Sequence, residues 1–326
     1  MTTWIADRPT AAKVKDTMAA LNWRSRPTLD RPVLIAAFEG WSDAGDAASL
    51  AVKHLATRWT GEPFAEIDGE EFFDFTSTRP HVRIVGDQRV IDWPTITFSS
   101  GTMGADGRGV VILSAHEPQL RWRTFCGLVL EVAQGCKAEL VLTLGALLAD
   151  VPHSRPVRIT GTAADATLNE RYGLAKSRYE GPTGILGVLH DALATAGLAS
   201  ASLWAAVPHY VPGSPSPKAA LALVERTCAM LDTSLPTMDL EIAAAEYERQ
   251  VNEVVEADDD MRGYVRQLEQ SHDEGDLDDD DDDADDDDGI DLDAGAVTGA
   301  LTDEHGNVPS GDALAAEFER FLRDQS

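Results

Sequence analysis

Ser42 stands in Gly40-Trp41-Ser42-Asp43-Ala44, between a run of strand formers and a run of helix formers. The spacing comes near the Gly-x-Ser-x-Gly elbow, which lifts a serine hydroxyl out of the backbone for nucleophilic attack. Asp150 and His209 follow in the order Ser, Asp, His. Against this, the turn follows the first strand, whereas an elbow normally follows a more central one. Ser42 and Asp43 are also residue types that cap a helix N-terminus. The turn therefore reads as a nucleophile site, as a cap, or as amides facing a ligand. Asp46 stands where a phosphate-binding loop needs its lysine, so nucleoside triphosphate binding is not expected.

Glu117 follows another apolar run, in His116-Glu117-Pro118. A carboxylate at the carboxyl end of a parallel strand lies where open α/β sheets bind ligands. The alternative is an acid meeting the partial positive charge of a helix N-terminus. His-Glu-x-x-His is not formed, because Leu120 holds the last position, and the histidines show no close ligand spacing, so no metal site is expected. Asp150 and His153 fall with Arg155 in the long connection of residues 144–156. Loops at strand ends carry binding groups disproportionately. Thr183, in Glu180-Gly181-Pro182-Thr183-Gly184, can cap a helix over 184–196, and amides at such a start suit an anion. His209 ends a further strand, in Pro208-His209-Tyr210. Where these ends meet, Ser42, Asp43, Glu117, Asp150, His153, Thr183 and His209 would line a pocket for a small molecule. No cofactor is expected there, and no residue is assigned as catalytic.

The elements that must position these residues alternate. Strand-like runs cover 33–38, 110–114, 139–144, 157–160 and 202–207, with helix patterns between them. Ser216-Pro217 opens a helix on which Leu221, Val224, Cys228 and Leu231 share one face. This alternation predicts a three-layer α/β/α fold with a mostly parallel sheet covered on both faces. Gly86-Asp87 breaks it with a hairpin between runs 82–86 and 89–92, and 95–98 is expected to continue it as a third strand. No helix is expected between 62 and 101. The inserted hairpin is either an oligomer contact or a simple sheet edge. Residues 1–31 form a lead-in, where Val14, Met18 and Leu21 suggest a weak helical stripe. The core is expected over 32–235, with the hairpin insertion at about 70–100. Residues 236–271 would be a helical lid, 272–312 an acidic disordered tether, and 313–326 a short amphipathic helix.

Charge constrains partners. The net charge is −29, and 15 acids without a base fall in residues 273–293. Residues 1–272 are also net acidic, so nucleic acid is not expected as a partner. No apolar run approaches the ~18 residues of a membrane span, so no membrane association is expected. The first ten residues show no secretory pattern, and Cys126, Cys136 and Cys228 lack redox-pair spacing. A cytoplasmic protein with buried reduced thiols is expected. The Asp run should extend the chain and present Leu314, Phe318, Phe321 and Leu322 to a protein partner or to the chain's own body.

Four strings carry a resemblance. They are Pro32-Val33-Leu34-Ile35-Ala36-Ala37-Phe38-Glu39-Gly40-Trp41-Ser42-Asp43-Ala44-Gly45, Glu117-Pro118-Gln119-Leu120-Arg121-Trp122, Leu144-Gly145-Ala146-Leu147-Leu148-Ala149-Asp150-Val151-Pro152-His153, and Tyr179-Glu180-Gly181-Pro182-Thr183-Gly184. Over about residues 30–270 the chain resembles the actinobacterial branch of the proteasome assembly chaperone family. The resemblance implies a core similar to purine nucleoside phosphorylases, a hairpin used in oligomers, a helical element near the pocket, and a homotrimer. It supplies no catalytic residues. Some archaeal members end in a hydrophobic-Tyr-x motif that docks on the proteasome ring; this chain ends Asp324-Gln325-Ser326, and that device is not expected of it. The expected function is a homo-oligomeric scaffold or assembly factor. The alternative is a small-molecule hydrolase, phosphorylase or ligand sensor using the strand-end pocket.

Overall fold

The computed structural model describes residues 20–211 and 213–274. Along them run β1 (Leu21–Trp23), β2 (Val33–Glu39), α1 (Ala47–Trp59), β3 (Thr60–Ile67), β4 (His81–Val85) and β5 (Gln88–Asp92). There follow β6 (Ile96–Met103), β7 (Arg108–His116), α2 (Trp122–Gly135), β8 (Leu140–Ala149), β9 (Ile159–Ala163) and α3 (Ala166–Tyr172). The remainder are α4 (Ile185–Thr195), β10 (Ser200–Pro208), α5 (Pro217–Met230), α6 (Met238–Glu256) and α7 (Asp259–Glu274).

β2 is buried along all but its last residue, a pattern that requires cover on both faces. Its side chains alternate across the sheet. Val33, Ile35 and Ala37 share a core with Val52 and Leu55 of α1 and Leu223 and Val224 of α5. Leu34, Ala36 and Phe38 pack on the other side, with Phe125 and Val129 of α2 and Leu186 and Leu189 of α4. The result is the expected α/β class: one sheet between two helical layers.

The large sheet has the order β1-β3-β6-β7-β2-β8-β10-β9. Its centre, β7-β2-β8-β10, is parallel. β6, β3 and β1 extend one side and β9 the other, all antiparallel. Parallel strands end on one edge, so residues 40–43, 117, 150–155 and 209 follow four strand ends of the same sense.

Several local expectations shift. The stretch expected as a third strand of the hairpin becomes β6, inside the large sheet between β3 and β7. Ile96 and Phe98 alternate into the core, whereas β4 and β5 lie almost wholly exposed in a sheet of their own. β3 has no counterpart among the expected strands, because Gly61 and Pro63 mask it; its pairing with β6 slips on both sides of Pro63. The strand expected at 157–160 lies at 159–163 and is an antiparallel edge. Between 62 and 101 the single helical element is a 3-10 turn at Gly69–Glu71.

Leu21 is in β1 rather than on a helical stripe; Val14 and Met18 lie outside the described residues. α7 continues to Glu274, past the start expected for the tether. The rest of that tether, and the terminal helix bearing Leu314, Phe318, Phe321 and Leu322, lie outside the described residues. Among the described residues, no helix is long and apolar enough to cross a membrane.

Candidate functional site

The expected pocket residues fall into two clusters. The first gathers around the turn after β2. Asp43 caps α1 through Oδ1, which accepts from the N–H groups of Ala48 at 2.7 Å and Ser49 at 3.1 Å. Burial of the carboxyl raises its pKa. The Ser42 carbonyl accepts from the Ala146 N–H at 2.9 Å, which ties the turn to β8. The Ser42 hydroxyl is buried and has no hydrogen-bond partner, so a contact from Ser42 to His209 is not made.

Glu117 joins three segments. Its Oε2 accepts from the Trp41 N–H at 3.2 Å, and its Oε1 accepts from the Ile185 N–H at 2.9 Å. Ile185 is the first residue of α4, so this carboxylate meets the positive end of that helix's dipole. Thr183 does not supply the cap: Gly184 holds the N-cap position and no side-chain cap bond forms there. Gly184 is needed for closeness. A Cβ there would come within 2.8 Å of the Trp41 ring, 3.0 Å of Ser42 Oγ and 3.1 Å of Glu117 Oε1. Gly40 answers a second demand, since its φ of +142° is one that L side chains rarely adopt.

The second cluster lies where α6 and α7 meet the ends of β8 and β10. Asp150 Oδ1 is 2.8 Å from His209 Nδ1 and accepts from the Tyr264 hydroxyl at 3.1 Å. His153 is 3% exposed. Its backbone N–H donates to the Tyr210 hydroxyl at 2.8 Å, and the same hydroxyl lies 2.8 Å from its Nδ1. Nε2 is 3.0 Å from Asn252 Oδ1 on α6. With Nε2–H donating to Asn252 Oδ1, a neutral ring carries its proton on Nε2 and Nδ1 accepts from the Tyr210 hydroxyl. Desolvation lowers the pKa of this imidazole. Lys218 donates to the His153 carbonyl at 2.5 Å and to Glu248 at 2.7 Å. Ser154 bonds to Glu269, and Arg155 reaches Asp273 through two bonds of 2.7 and 2.8 Å.

Beneath these helices His153, Arg158, Ser216, Lys218, Tyr247 and His272 line a cavity of about 20 Å³ measured to water centres. That holds about one water, far below the 300–1,000 Å³ typical of small-molecule pockets. Among the described residues no group of three or more His, Cys, Asp or Glu is placed to hold a metal ion. Ser42, Asp43, Glu117 and the Thr183-Gly184 step thus share one joint, while Asp150, His209 and His153 share another with α6 and α7. Sequence reasoning missed Asn252, Glu248, Glu269 and Tyr264. They are polar residues on amphipathic helices, with no local signal to separate them from an ordinary solvated face.

A third feature is a surface. On the hairpin Val82, Ile84 and Ile91 are 51%, 68% and 47% exposed. Val82 stands opposite Ile91 and two residues from Ile84, so the three share one face. Trp93 is also exposed and packs edge-on against Phe75 at 5.0 Å.

The PAC2 family profile matches residues 37–255. The crystal structure of a PAC2 family protein from Streptomyces avermitilis is similar at 45% identity with a TM-score of 0.68, covering 72% of this chain and 99% of that one. A proteasome-assembly chaperone homologue from Mycobacterium tuberculosis is similar at 44% identity with a TM-score of 0.65, covering 72% of this chain and 99% of that one. An archaeal proteasome activator from Pyrococcus furiosus shares the fold at 18% identity, with a TM-score of 0.59 over 72% of this chain and 97% of that one. No curated protein matches the chain.

Proposed function

This chain belongs to the PAC2 family, and on that premise we propose that it is a homo-oligomeric scaffold or assembly factor that acts by binding proteins. The hairpin carries the reading. Val82, Ile84 and Ile91 form an apolar face that a lone chain leaves in water, and Trp93 is exposed just beyond the hairpin. A second copy covers it, and a cyclic trimer is the assembly we favour. The similar Mycobacterium tuberculosis protein is a proteasome-assembly chaperone homologue, which makes proteasome subunits the first partners to test. The strand-end residues serve this role as joints: Glu117 and Asp43 hold helix starts, and Asp150, His153 and His209 seat the cover helices. We place the protein in the cytoplasm, where free buried Cys126, Cys136 and Cys228 are at home.

Light scattering tests the assembly. At micromolar concentration the full chain should give three times its 35.1 kDa mass. The pair Ile84→Asp and Ile91→Asp should return it to one. A wild-type mass of a single chain, or an oligomer unmoved by the pair, overturns the hairpin contact. Mixing with purified proteasome subunits during assembly then asks whether those are the partners.

A further inference from the structure

The cavity beneath α6 and α7 is lined by donors. Its polar side chains are His153, Arg158, Ser216, Lys218, Tyr247 and His272, every one able to donate and none a carboxylate. Tyr247 is 7% exposed, and its hydroxyl is buried without a hydrogen-bond partner in good geometry, although Ser216 stands beside it. A buried hydroxyl left unpaired is costly, so an occupant of the cavity that accepts from it is favoured. Ser216 Oγ accepts from the Ala219 N–H at 3.4 Å as the cap of α5, which leaves its own O–H as a donor. Lys218 donates to the His153 carbonyl and to Glu248, and an ammonium has a third N–H.

The carboxylates near His153 are engaged elsewhere. Glu248 is bonded to Lys218, and Glu269 to Ser154 and Arg155; neither lines the cavity. The space, about 20 Å³ measured to water centres, takes one water or one monatomic ion. A cation there would face an ammonium and a guanidinium. A water must place two hydrogens of its own, and Lys218 and Arg158 have no acceptor to offer them. A small anion needs only donors, which is what this lining supplies.

We propose that the cavity binds one small monovalent anion, chloride or an ion of its size, which pins α6 and α7 to the body. The donors come from separate elements: Arg158 stands just before β9, Ser216 and Lys218 open α5, Tyr247 is on α6 and His272 on α7. The site is therefore complete only while both cover helices are seated. An ion that binds the seated form and not the open one stabilises it by mass action. The site is separate from the hairpin and stands whatever the assembly.

The test is amide hydrogen exchange of the full chain across chloride concentrations of roughly 5 to 500 mM. Gluconate, too large for the space, holds ionic strength constant, so screening of the −29 charge does not change. Once chloride exceeds its Kd, opening of α6 and α7 should fall about tenfold for each tenfold rise in chloride, because opening releases one ion. Tyr247→Phe keeps the ring and removes the hydroxyl. The chloride concentration at which protection sets in should then rise about tenfold or more. Protection that ignores chloride, or a variant whose onset matches the wild type, overturns the site. Crystals of the wild type grown in bromide decide without any variant. An anomalous bromide peak within hydrogen-bond reach of the Tyr247 hydroxyl and Lys218 Nζ supports the site; a water in its place overturns it. Bromide bound there with no effect of halide on exchange is an adventitious ion only, and overturns the pinning.

Discussion

Glu117 shows how one side chain can do what a pocket was expected to do. Its carboxylate accepts two backbone N–H groups from different segments, one of them the first amide of α4. Glu117→Gln keeps the size, loses the charge, and turns an amide donor toward one of those N–H groups. The expected cost is about 1–3 kcal/mol of stability by denaturant unfolding, the range for a half-buried charge-assisted pair. A change below about 0.5 kcal/mol would mean water replaces the bond freely. Gly184→Ala probes the same joint from the packing side. Its Cβ would lie 2.8 Å from the Trp41 ring, so overpacking should cost about 1–3 kcal/mol. The sequence marked Glu117 as notable and held both the ligand and the helix-dipole reading. It could not show that the helix served is α4, 68 residues on, rather than the one that follows directly.

At the scale of elements, α6 and α7 behave as an added layer. Leu240, Ala244, Tyr247, Val251 and Val255 are the buried face of α6, and Val265 and Leu268 that of α7. Their loss would expose Tyr210, Val211 and part of α5's outer face. Apart from Leu240, which joins one of them, the two cores of the central sheet with α1, α2, α4 and α5 contain no residue of these helices. A chain ending at residue 236 should therefore fold and melt cooperatively, with Tm lower by roughly 5 °C or more. An unchanged Tm would show that the cover contributes nothing to the body. Loss of all secondary structure by circular dichroism would show instead that the body depends on it.

For the whole molecule, charge opposes assembly. Each chain carries −29, and the 52 residues after Glu274 hold 19 acids against two bases. In the proposed oligomer, copies brought together by apolar faces would repel one another over about 8 Å in physiological salt and over longer distances in dilute buffer. The oligomer should therefore dissociate more readily at low ionic strength. Removing residues 275–326 should tighten it and flatten its salt dependence. Sedimentation velocity at 20 and 150 mM salt, on the full and shortened chains, reads both effects. Equal salt dependence in the two chains would show that the acidic run does not sense the assembly.

Alternation of apolar strands with capped helices was enough for the sequence to declare the α/β class. The reason is that burial on both faces of β2 leaves few architectures open. Gly86 and Asp87 likewise announced the hairpin, because turn chemistry is local. β3 stayed hidden because Gly61 and Pro63 are poor strand formers, tolerated only where pairing with β6 slips. The site divided in the same way. Ser42, Asp43, Glu117, Asp150, His153, Thr183 and His209 were legible as residues near strand ends. Which of them met was decided by contacts between segments far apart in sequence. His153 and Asn252 lie 99 positions apart, and only the packing of α6 on the strand ends makes them one hydrogen bond. Whether the strand ends enclosed a pocket or a seam was also a tertiary outcome. Space is set by the side chains that fill it, and here Tyr247, His272 and their neighbours leave room for about one water.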